Sequence, residues 1–258
     1  MVLNKKKYLF LLAVCLLLAM ISLCGIWYEV KPEMDALEFY HNMDYKMEQV
    51  FTKEEPISQE MIKDYESTNK VLDQKSKWLT EMVKEYPNMV GWIRCEGISI
   101  NYPIMQTDDN SYYLDHLPDG SKNKLGSIFL DKSVNSDFSS PVSIIYGHMM
   151  QSNEMFGELN NYRKQDYYEK HSKLELYTME GKKSLVLLAA YLVDGSSNPY
   201  PKKFGTPDAF YSYIQEIQRK SFFVSEETAV PGDKLVILST CAYDFDEARL
   251  AIVGYLKP

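Results

Sequence analysis

The sequence of 258 residues contains only four cysteines. Cys15 and Cys24 fall in a long apolar run near the N-terminus, which leaves Cys95 and Cys241 for the rest of the chain. Two cysteines are too few for a secreted fold built on disulfides, although a single Cys95–Cys241 bridge stays open. An unpaired thiol is a candidate reactive group, whereas a buried structural role is the interpretation we favour for Cys95.

Signals for nucleotides, metals and nucleic acid are also missing. The sequence has no glycine-rich phosphate loop, no HExxH motif and no paired Cys/His spacing, so we predict no cofactor and no metal site. The formal net charge is −8 although Lys5, Lys6 and Lys7 add positive charge at the N-terminus. The acidic remainder makes nucleic acid a poor partner.

Residues 8–28 form an apolar run without any charge. At about 1.5 Å per helical residue the run is long enough to cross a hydrocarbon core of roughly 30 Å. Lys5, Lys6 and Lys7 precede it and Glu29 follows it. The positive-inside rule therefore predicts a single-pass signal anchor in the cell membrane, with residues 1–7 as a cytoplasmic tail and the rest extracellular.

Two other interpretations of this run remain open. A cleaved signal peptide would have a shorter apolar region, and no small-x-small cleavage site follows Gly25. A lipoprotein would use Cys24, but the bulky Leu23 precedes it where such processing resembles a small-residue requirement.

Residues 29–85 are polar and lack glycine, with apolar residues at helical spacing between 71 and 83. Pro56 interrupts this segment and Ser58 is a candidate N-cap. We therefore predict two extracellular helices, the first a stalk and the second packed on the following domain.

The pattern changes after Pro87 to short β-rich runs separated by turn residues. Eight runs predict a mainly β fold with a closed or nearly closed barrel over residues 86–258. Several of them are apolar throughout, which is expected where helices cover the barrel wall. One helix is predicted over 207–220, with Thr206 as its N-cap, inside a long connection over 194–233. The predicted strands are 90–94, 98–104, 126–130, 142–147, 173–178, 184–193, 234–240 and 248–256.

Cys241 ends the predicted strand KLVILSTC, where its side chain can emerge at the barrel rim. A thiol becomes a useful nucleophile near neutral pH when a cation or an imidazolium lies beside it. Arg249 opens the next predicted strand after seven intervening residues. An antiparallel hairpin would bring the two side by side, where a guanidinium can also bind an oxyanion.

Four histidines are candidates for proton transfer, and only one of them stands at the exit of a predicted strand. His148 ends the run VSIIYGH, and Gly147 before it permits close approach of the backbone. His41 lies in the predicted stalk, His116 in a turn and His171 in a charged stretch. We therefore assign proton transfer to His148, while a merely structural histidine remains the alternative.

Four stretches of the sequence occur in an order typical of one enzyme family. They are GWIRCEGISINYPIMQTDDNSYYLDH at 91–116, GSIFLDKS at 126–133, YGH at 146–148 and LSTC at 238–241, the last followed by an Arg in the next strand. Together with the helix-containing insertion before the last two strands, they resemble class B sortases over roughly residues 86–258. Ile237 stands where the family's TLSTC-type motif usually has Thr, a conservative departure.

The resemblance implies an eight-stranded β-barrel with an N-terminal helical segment, and it implies the site residues. Cys241 would be the nucleophile, His148 the proton-transfer group and Arg249 the oxyanion stabiliser. The residues that would contact substrate are Asn110, Leu114, Tyr200, Ser239 and Thr240. The short loop after Cys241 leaves an auxiliary acid open, because Asp244 and Asp246 can both be simply solvated.

The resemblance also implies a reaction on the outer face of a Gram-positive membrane. The enzyme would cleave a Pro-containing, Thr-bearing sorting signal of surface proteins through a thioacyl-enzyme that an amine resolves. The amine would come from a peptidoglycan precursor or from a pilin lysine. A non-catalytic, membrane-tethered binding module with a tyrosine-rich contact surface is the alternative from another class. Papain-like and related wall-peptide hydrolases fit less well, because they place Cys before His in the chain.

Overall fold

The computed structural model describes residues 5–52, 79–197 and 199–257. The chain divides into two compact units, Met1–Asn42 and Met43–Pro258. A single helix, Lys5–Thr52, begins in the first unit and ends in the second. The predicted stalk helix is thus continuous with the apolar helix, and Pro32 lies inside it. The predicted break at Pro56 and Ser58 lies outside the described residues.

The N-terminal helix carries the apolar run. Among the residues that the structure describes, it is the one helix long and apolar enough to cross a membrane, with the candidate span Lys7–Glu48. Large apolar side chains along it, among them Phe10 and Leu23, are exposed. The same length and composition also fit a signal sequence.

Eight strands of the second unit close into a barrel. They are β1 Met89–Arg94, β2 Asn101–Met105, β3 Ile128–Leu130, β4 Val142–Tyr146, β5 Lys173–Thr178, β6 Gly181–Asp194, β7 Leu235–Cys241 and β8 Ala248–Lys257. Their order around the barrel is β1-β2-β3-β4-β7-β8-β6-β5. The β2–β3 and β4–β7 pairs are parallel, and the other pairs are antiparallel. The predicted mainly β, eight-stranded barrel is confirmed.

Short helices connect the strands. Residues 79–85 are helical just before β1. Two further α-helices are Gln165–Lys170 and Pro207–Lys220, the second of which we call the insertion helix. Within the described residues, 3-10 segments are Tyr112–Leu114, Gly157–Arg163 and Gly195–Ser197.

The insertion helix begins and ends where the sequence predicts. Thr206 caps it, because its side chain accepts a hydrogen bond from the Ala209 N–H, and Pro207 occupies the first turn. Phe210, Ile214 and Ile217 are buried along one face. They share a hydrophobic cluster with residues of β4, β6, β7 and β8. The helix therefore covers the barrel wall, which explains why these strands are apolar on both faces.

Strand β3 is shorter than predicted, because its expected first residues form a turn. Gly126 has φ +60, a left-handed conformation that favours glycine. A β-carbon there would lie 2.6 Å from the Tyr113 carbonyl oxygen. The Ser127 N–H donates to that same carbonyl, so the segment packs on the loop at 112–114 before the strand begins.

Candidate active site

Cys241 and Arg249 face each other across the β7–β8 hairpin, as the spacing in the sequence predicts. They are register partners at the end of the antiparallel pair. Arg249 Nη1 donates a hydrogen bond to Cys241 Sγ at 3.1 Å. Cys241 is partly exposed at the barrel rim and is a free thiol. The Arg249 guanidinium therefore lies within hydrogen-bond distance of the sulfur that would act as the nucleophile.

Cys95 is also free, and it is buried. The Cys95–Cys241 bridge that the sequence left open is therefore not formed. Burial raises the pKa of the Cys95 thiol to about 11. The predicted buried location of Cys95 is confirmed.

The parallel pairing of β4 with β7 brings His148 to the same end of the barrel as Cys241. Tyr146 is the register partner of Ser239, and the Gly147 N–H donates to the Ser239 carbonyl at 3.2 Å. His148 and Cys241 each lie two residues beyond this paired position. A β-carbon on Gly147 would be 2.4 Å from Ile128 Cδ1, so the close approach predicted at this glycine is confirmed.

The imidazole of His148 is held through one ring nitrogen. Nε2 lies 2.6 Å from the carbonyl oxygen of Leu114. Because a carbonyl oxygen only accepts, Nε2 carries the hydrogen, and in the neutral ring the lone pair is on Nδ1. Leu114 itself is 44% exposed.

Two of the other three histidines, His116 and His171, pack against neighbouring aromatic rings. His116 Nδ1 lies 2.8 Å from the Tyr112 carbonyl oxygen, and its ring stacks on the Tyr112 ring at 4.0 Å between centroids. His171 follows the helix Gln165–Lys170, with its ring 4.7 Å from that of Tyr167. His41 is part of the N-terminal helix.

Two of the predicted substrate residues meet below the barrel rim. Tyr200 Oη and Ser239 Oγ are 2.8 Å apart, and both residues are buried. Burial raises the pKa of Tyr200 to about 12, so its hydroxyl stays protonated. Thr240, the next residue on β7, is buried too, and its Oγ1 has no hydrogen-bond partner within the described parts of the chain.

Asn110, another predicted substrate residue, is anchored by a buried carboxylate. Its Nδ2 donates to Asp131 Oδ2 at 2.9 Å, and Tyr146 Oη donates to the same oxygen at 3.1 Å. The other carboxylate oxygen accepts from the Ser133 N–H and hydroxyl. Burial alone would raise the pKa of Asp131, but these hydrogen bonds outweigh it and the pKa is lowered. Sequence reasoning missed Asp131, whose only local signal was its position directly after β3.

The β7–β8 loop is fixed at one side by an ion pair. Arg163 Nη1 and Nη2 donate to the two carboxylate oxygens of Asp244 at 3.0 and 2.6 Å. The hydrogen bonds from Arg163 lower the pKa of Asp244. Asp244 and Asp246 are both exposed, but the carboxylate of Asp244 is paired with Arg163. A bidentate pair of this kind restrains the loop that follows Cys241.

Among the described residues, no group of His, Cys, Asp and Glu side chains could hold a metal ion. A free, partly exposed cysteine with an arginine N–H on its sulfur, and a histidine at the end of the adjoining strand, is typical of cysteine-dependent acyl-transfer enzymes.

Comparison with known proteins identifies a family within this class of enzymes. No protein-family model matches the chain. The chain is 33% identical over 175 residues to sortase B of Staphylococcus aureus, covering 66% of this chain and 70% of that protein. It is 30% identical over 180 residues to sortase B of Listeria monocytogenes, covering 69% of this chain and 73% of that protein.

Solved structures agree with this likeness. The Staphylococcus aureus sortase B–substrate complex superposes with a TM-score of 0.74 at 26% identity, over 87% of this chain and 97% of that one. A crystal structure of sortase B complexed with triglycine gives a TM-score of 0.74 at 27% identity, over 87% and 98%. The chain belongs to the sortase B family and is a sortase-type cysteine transpeptidase of surface-protein anchoring.

Proposed function

We propose that this transpeptidase is membrane-anchored and uses Cys241 to cleave a sorting signal at a Thr carbonyl. The acyl group is then transferred to an amine of a cell-wall precursor. The observation that carries the proposal is the hydrogen bond from Arg249 Nη1 to Cys241 Sγ at 3.1 Å. It joins the only thiol of the barrel rim, among the described residues, to a cation that cannot lose its charge near neutral pH.

In the first step the Cys241 thiol gives its proton to Nδ1 of His148, a bond forms between the sulfur and the Thr carbonyl carbon, and the carbonyl π electron pair moves to oxygen. Arg249 and a backbone N–H stabilise this oxyanion. Arg249 suits the task because its planar guanidinium carries five N–H donors, so one can leave the sulfur and another can bind oxygen. A well-placed donor of this kind contributes about 2.7–4 kcal/mol to the transition state.

Collapse of the tetrahedral intermediate breaks the C–N bond and leaves a thioester on Cys241. His148 gives a proton to the departing amine and later removes one from the incoming amine. The hydrogen bond from Nε2 to the Leu114 carbonyl supports Nδ1 as the nitrogen that exchanges this proton. The Leu114 carbonyl thereby keeps one hydrogen on Nε2 while Nδ1 gains and loses the proton.

In this proposal the substrate binds at the barrel rim, where it is close to the predicted binding residues. The Leu114 side chain, 44% exposed, offers an apolar contact. Asn110 offers an amide that Asp131 holds in place. Tyr200 and Ser239 are bonded to each other beneath the rim, so they shape the floor. Thr240 is buried on the same strand and supports Cys241.

The acceptor we favour is a peptide amine of a peptidoglycan precursor, and a pilin lysine is the competing acceptor. The sortase B structure with triglycine supports a small peptide amine. For the N-terminal segment we propose an anchor over residues 8–28, residues 1–7 in the cytoplasm and the catalytic domain, residues 86–258, outside. The three lysines that precede the apolar run support this orientation.

Trapping the acyl-enzyme tests the proposal. The full chain in detergent is incubated with a soluble Thr-containing sorting peptide and no amine, and the adduct is located by peptide mass spectrometry. We expect the acyl group on Cys241, its release by triglycine faster than by a lysine side chain, and no adduct in Cys241→Ser. Cys95→Ser is the matched control and keeps the adduct. An adduct on Cys95, or transfer that continues in Cys241→Ser, would contradict the proposal.

A further inference from the structure

Gly195 lies directly beside the path of the Arg249 side chain. It is the first residue after β6, whose last pair with β8 is Asp194 with Ala248. The Gly195 N–H donates to the Glu247 carbonyl oxygen at 2.9 Å. The end of β6 is therefore tied to the two residues that lead into Arg249.

Space, and not backbone conformation, explains a glycine at this position. The φ of Gly195 is not positive, so any residue type could adopt its backbone angles. A β-carbon there would lie 2.9 Å from Arg249 Cγ, 3.1 Å from Arg249 Nε and 3.0 Å from the Glu247 carbonyl oxygen. Contacts of this length fall below normal carbon–carbon separations of about 3.5–4.0 Å.

The clash would reach the reacting sulfur through the arginine. Cγ is near the base of the side chain, so moving it away from a β-carbon shifts the whole guanidinium, including the Nη1 that donates to Cys241 Sγ at 3.1 Å. Retreat of the backbone instead would strain the hydrogen bond from Gly195 to Glu247. Either adjustment disturbs the contact between Arg249 and the thiol.

A second contact on the guanidinium is weaker. Arg249 Nη2 lies 3.5 Å from Glu247 Oε2, and the Glu247 side chain is 64% exposed. Exposed ion pairs typically contribute about 0–1 kcal/mol. Glu247 therefore restrains the Arg249 guanidinium only weakly. The close packing of Arg249 against Gly195 is the stronger constraint on its position.

We propose that Gly195 is a positioning residue for transpeptidation: its missing side chain lets Arg249 lie across the end of β6 and reach Cys241. The inference rests on the proposed role of Arg249. It predicts that Gly195→Ala lowers kcat about tenfold or more, towards the loss of roughly 10²–10³ expected for an absent oxyanion donor. KM should stay within about twofold, because Gly195 is not proposed to contact substrate.

A matched control is available in the same connection. A β-carbon on Gly205 would have no heavy atom within 4 Å, and its φ is not positive. Gly205→Ala is thus the same chemical change without the clash, and we expect parental kcat and KM.

The test is a double-mutant cycle on the full chain in detergent, with kcat, KM and thermal melting measured for Gly195→Ala, Arg249→Ala and the pair. If Gly195 acts through Arg249, Gly195→Ala lowers kcat in the parent and has no further effect in the Arg249→Ala background. A near-parental kcat for Gly195→Ala together with a strong loss for Arg249→Ala would overturn the inference about Gly195. The proposed role of Arg249 would then still stand. An equal loss of kcat on adding Gly195→Ala to the parent and to Arg249→Ala would also overturn the inference about Gly195.

Two further outcomes are informative. No loss for Arg249→Ala would remove the proposed role of Arg249 and the inference with it. If Gly195→Ala does not fold, the thermal melting of the Gly195→Ala/Arg249→Ala double variant tests the inference instead. The Arg249→Ala change removes the Cγ that a β-carbon at 195 would meet, so restored melting of the pair supports a clash with Arg249, and a still unfolded pair overturns it.

Discussion

The barrel contains two free cysteines at strand ends, and they differ in burial and in the group that contacts the sulfur. Cys95 follows β1, is 4% exposed, and donates its S–H to the Lys173 carbonyl on β5 at 3.5 Å. Cys241 ends β7, is partly exposed, and accepts an N–H from Arg249 on β8 at 3.1 Å. The Cys95 sulfur therefore contacts a carbonyl acceptor, whereas the Cys241 sulfur contacts a cationic donor.

Burial and the group that contacts the sulfur together distinguish the two cysteines. Burial raises the pKa of Cys95 to about 11, and the nearby Glu175 contributes in the same direction. A thiol with such a pKa is almost wholly protonated at neutral pH and is a poor nucleophile. Cys241 instead combines solvent access with a fixed cation, which are the two conditions for a reactive thiol.

The largest expected effect comes from removing the imidazole that shares the barrel end with Cys241. His148→Ala should lower kcat by roughly 10²–10⁴-fold, the usual contribution of positioned proton transfer. His116→Ala and His171→Ala serve as controls and should retain activity if they melt like the parent. Steady-state cleavage of one sorting peptide measures all three variants. A comparable loss in folded His171→Ala would contradict the assignment.

The next effect separates the charge of Arg249 from its shape. Arg249→Lys keeps a cation near Cys241 but loses the planar donor array, so we expect activity to fall by roughly 10²–10³-fold. If Arg249 were an exposed charge with no catalytic role, the substitution would change the activation free energy by well under about 1 kcal/mol. Cleavage kinetics and thermal melting of the variant, beside the parent, distinguish these cases. Near-parental rates would make Arg249 an ordinary strand residue.

A smaller effect is expected at Asp131, the buried carboxylate that holds the Asn110 amide. Because its pKa is lowered in the folded state, it stabilises the fold above its unfolded pKa of about 3.9 and this stabilisation is lost as pH falls through the folded pKa. Asp131→Asn should cost about 1–3 kcal/mol at pH 7. Its stability should then decline less than that of the parent on acidification from about pH 5 to about pH 2.

Urea unfolding across this pH range measures the difference. Asp137→Asn is the matched control, because Asp137 is exposed and its carboxylate accepts from the Ser139 N–H. That variant should be nearly as stable as the parent at pH 7. Parallel pH profiles for Asp131→Asn and the parent would show that Asp131 is not ionised in the fold.

The smallest effect is expected from removing residues 1–28. The proposed catalytic residues all lie after residue 86, so the shortened chain should be soluble without detergent and should cleave a soluble peptide at the parental rate. Analytical gel filtration and the same peptide assay provide the readout. Loss of cleavage by a folded, shortened chain would argue against the proposed domain boundaries.

Much of the fold followed from local patterns in the sequence. Apolar runs predicted all eight strands, and Thr206 with Pro207 predicted the start of the insertion helix. The Cys241–Arg249 contact was predictable because seven intervening residues fit a hairpin. These features depend on residues that are close in sequence, where period and spacing carry the information.

The rest of the site depends on contacts between distant segments, which no local pattern encodes. Arg163 and Asp244 are 81 residues apart, and Asn110 and Asp131 are 21 apart across a parallel pair of strands. Gly195 beside Arg249 required the register of β6 against β8. Such contacts become visible only once the barrel closes and sets which loops meet.

The most direct measurement of the central claim compares the two barrel cysteines within one molecule. The folded full chain is treated briefly with iodoacetamide at pH 7, and mass spectrometry quantifies the label at Cys241 and Cys95. The account predicts rapid labelling of Cys241 and almost none of Cys95, slower labelling of Cys241 in Arg249→Ala, and similar labelling of both once the chain is denatured. Equal labelling of the two cysteines in the folded chain, or a Cys241 rate unchanged by Arg249→Ala, would contradict it.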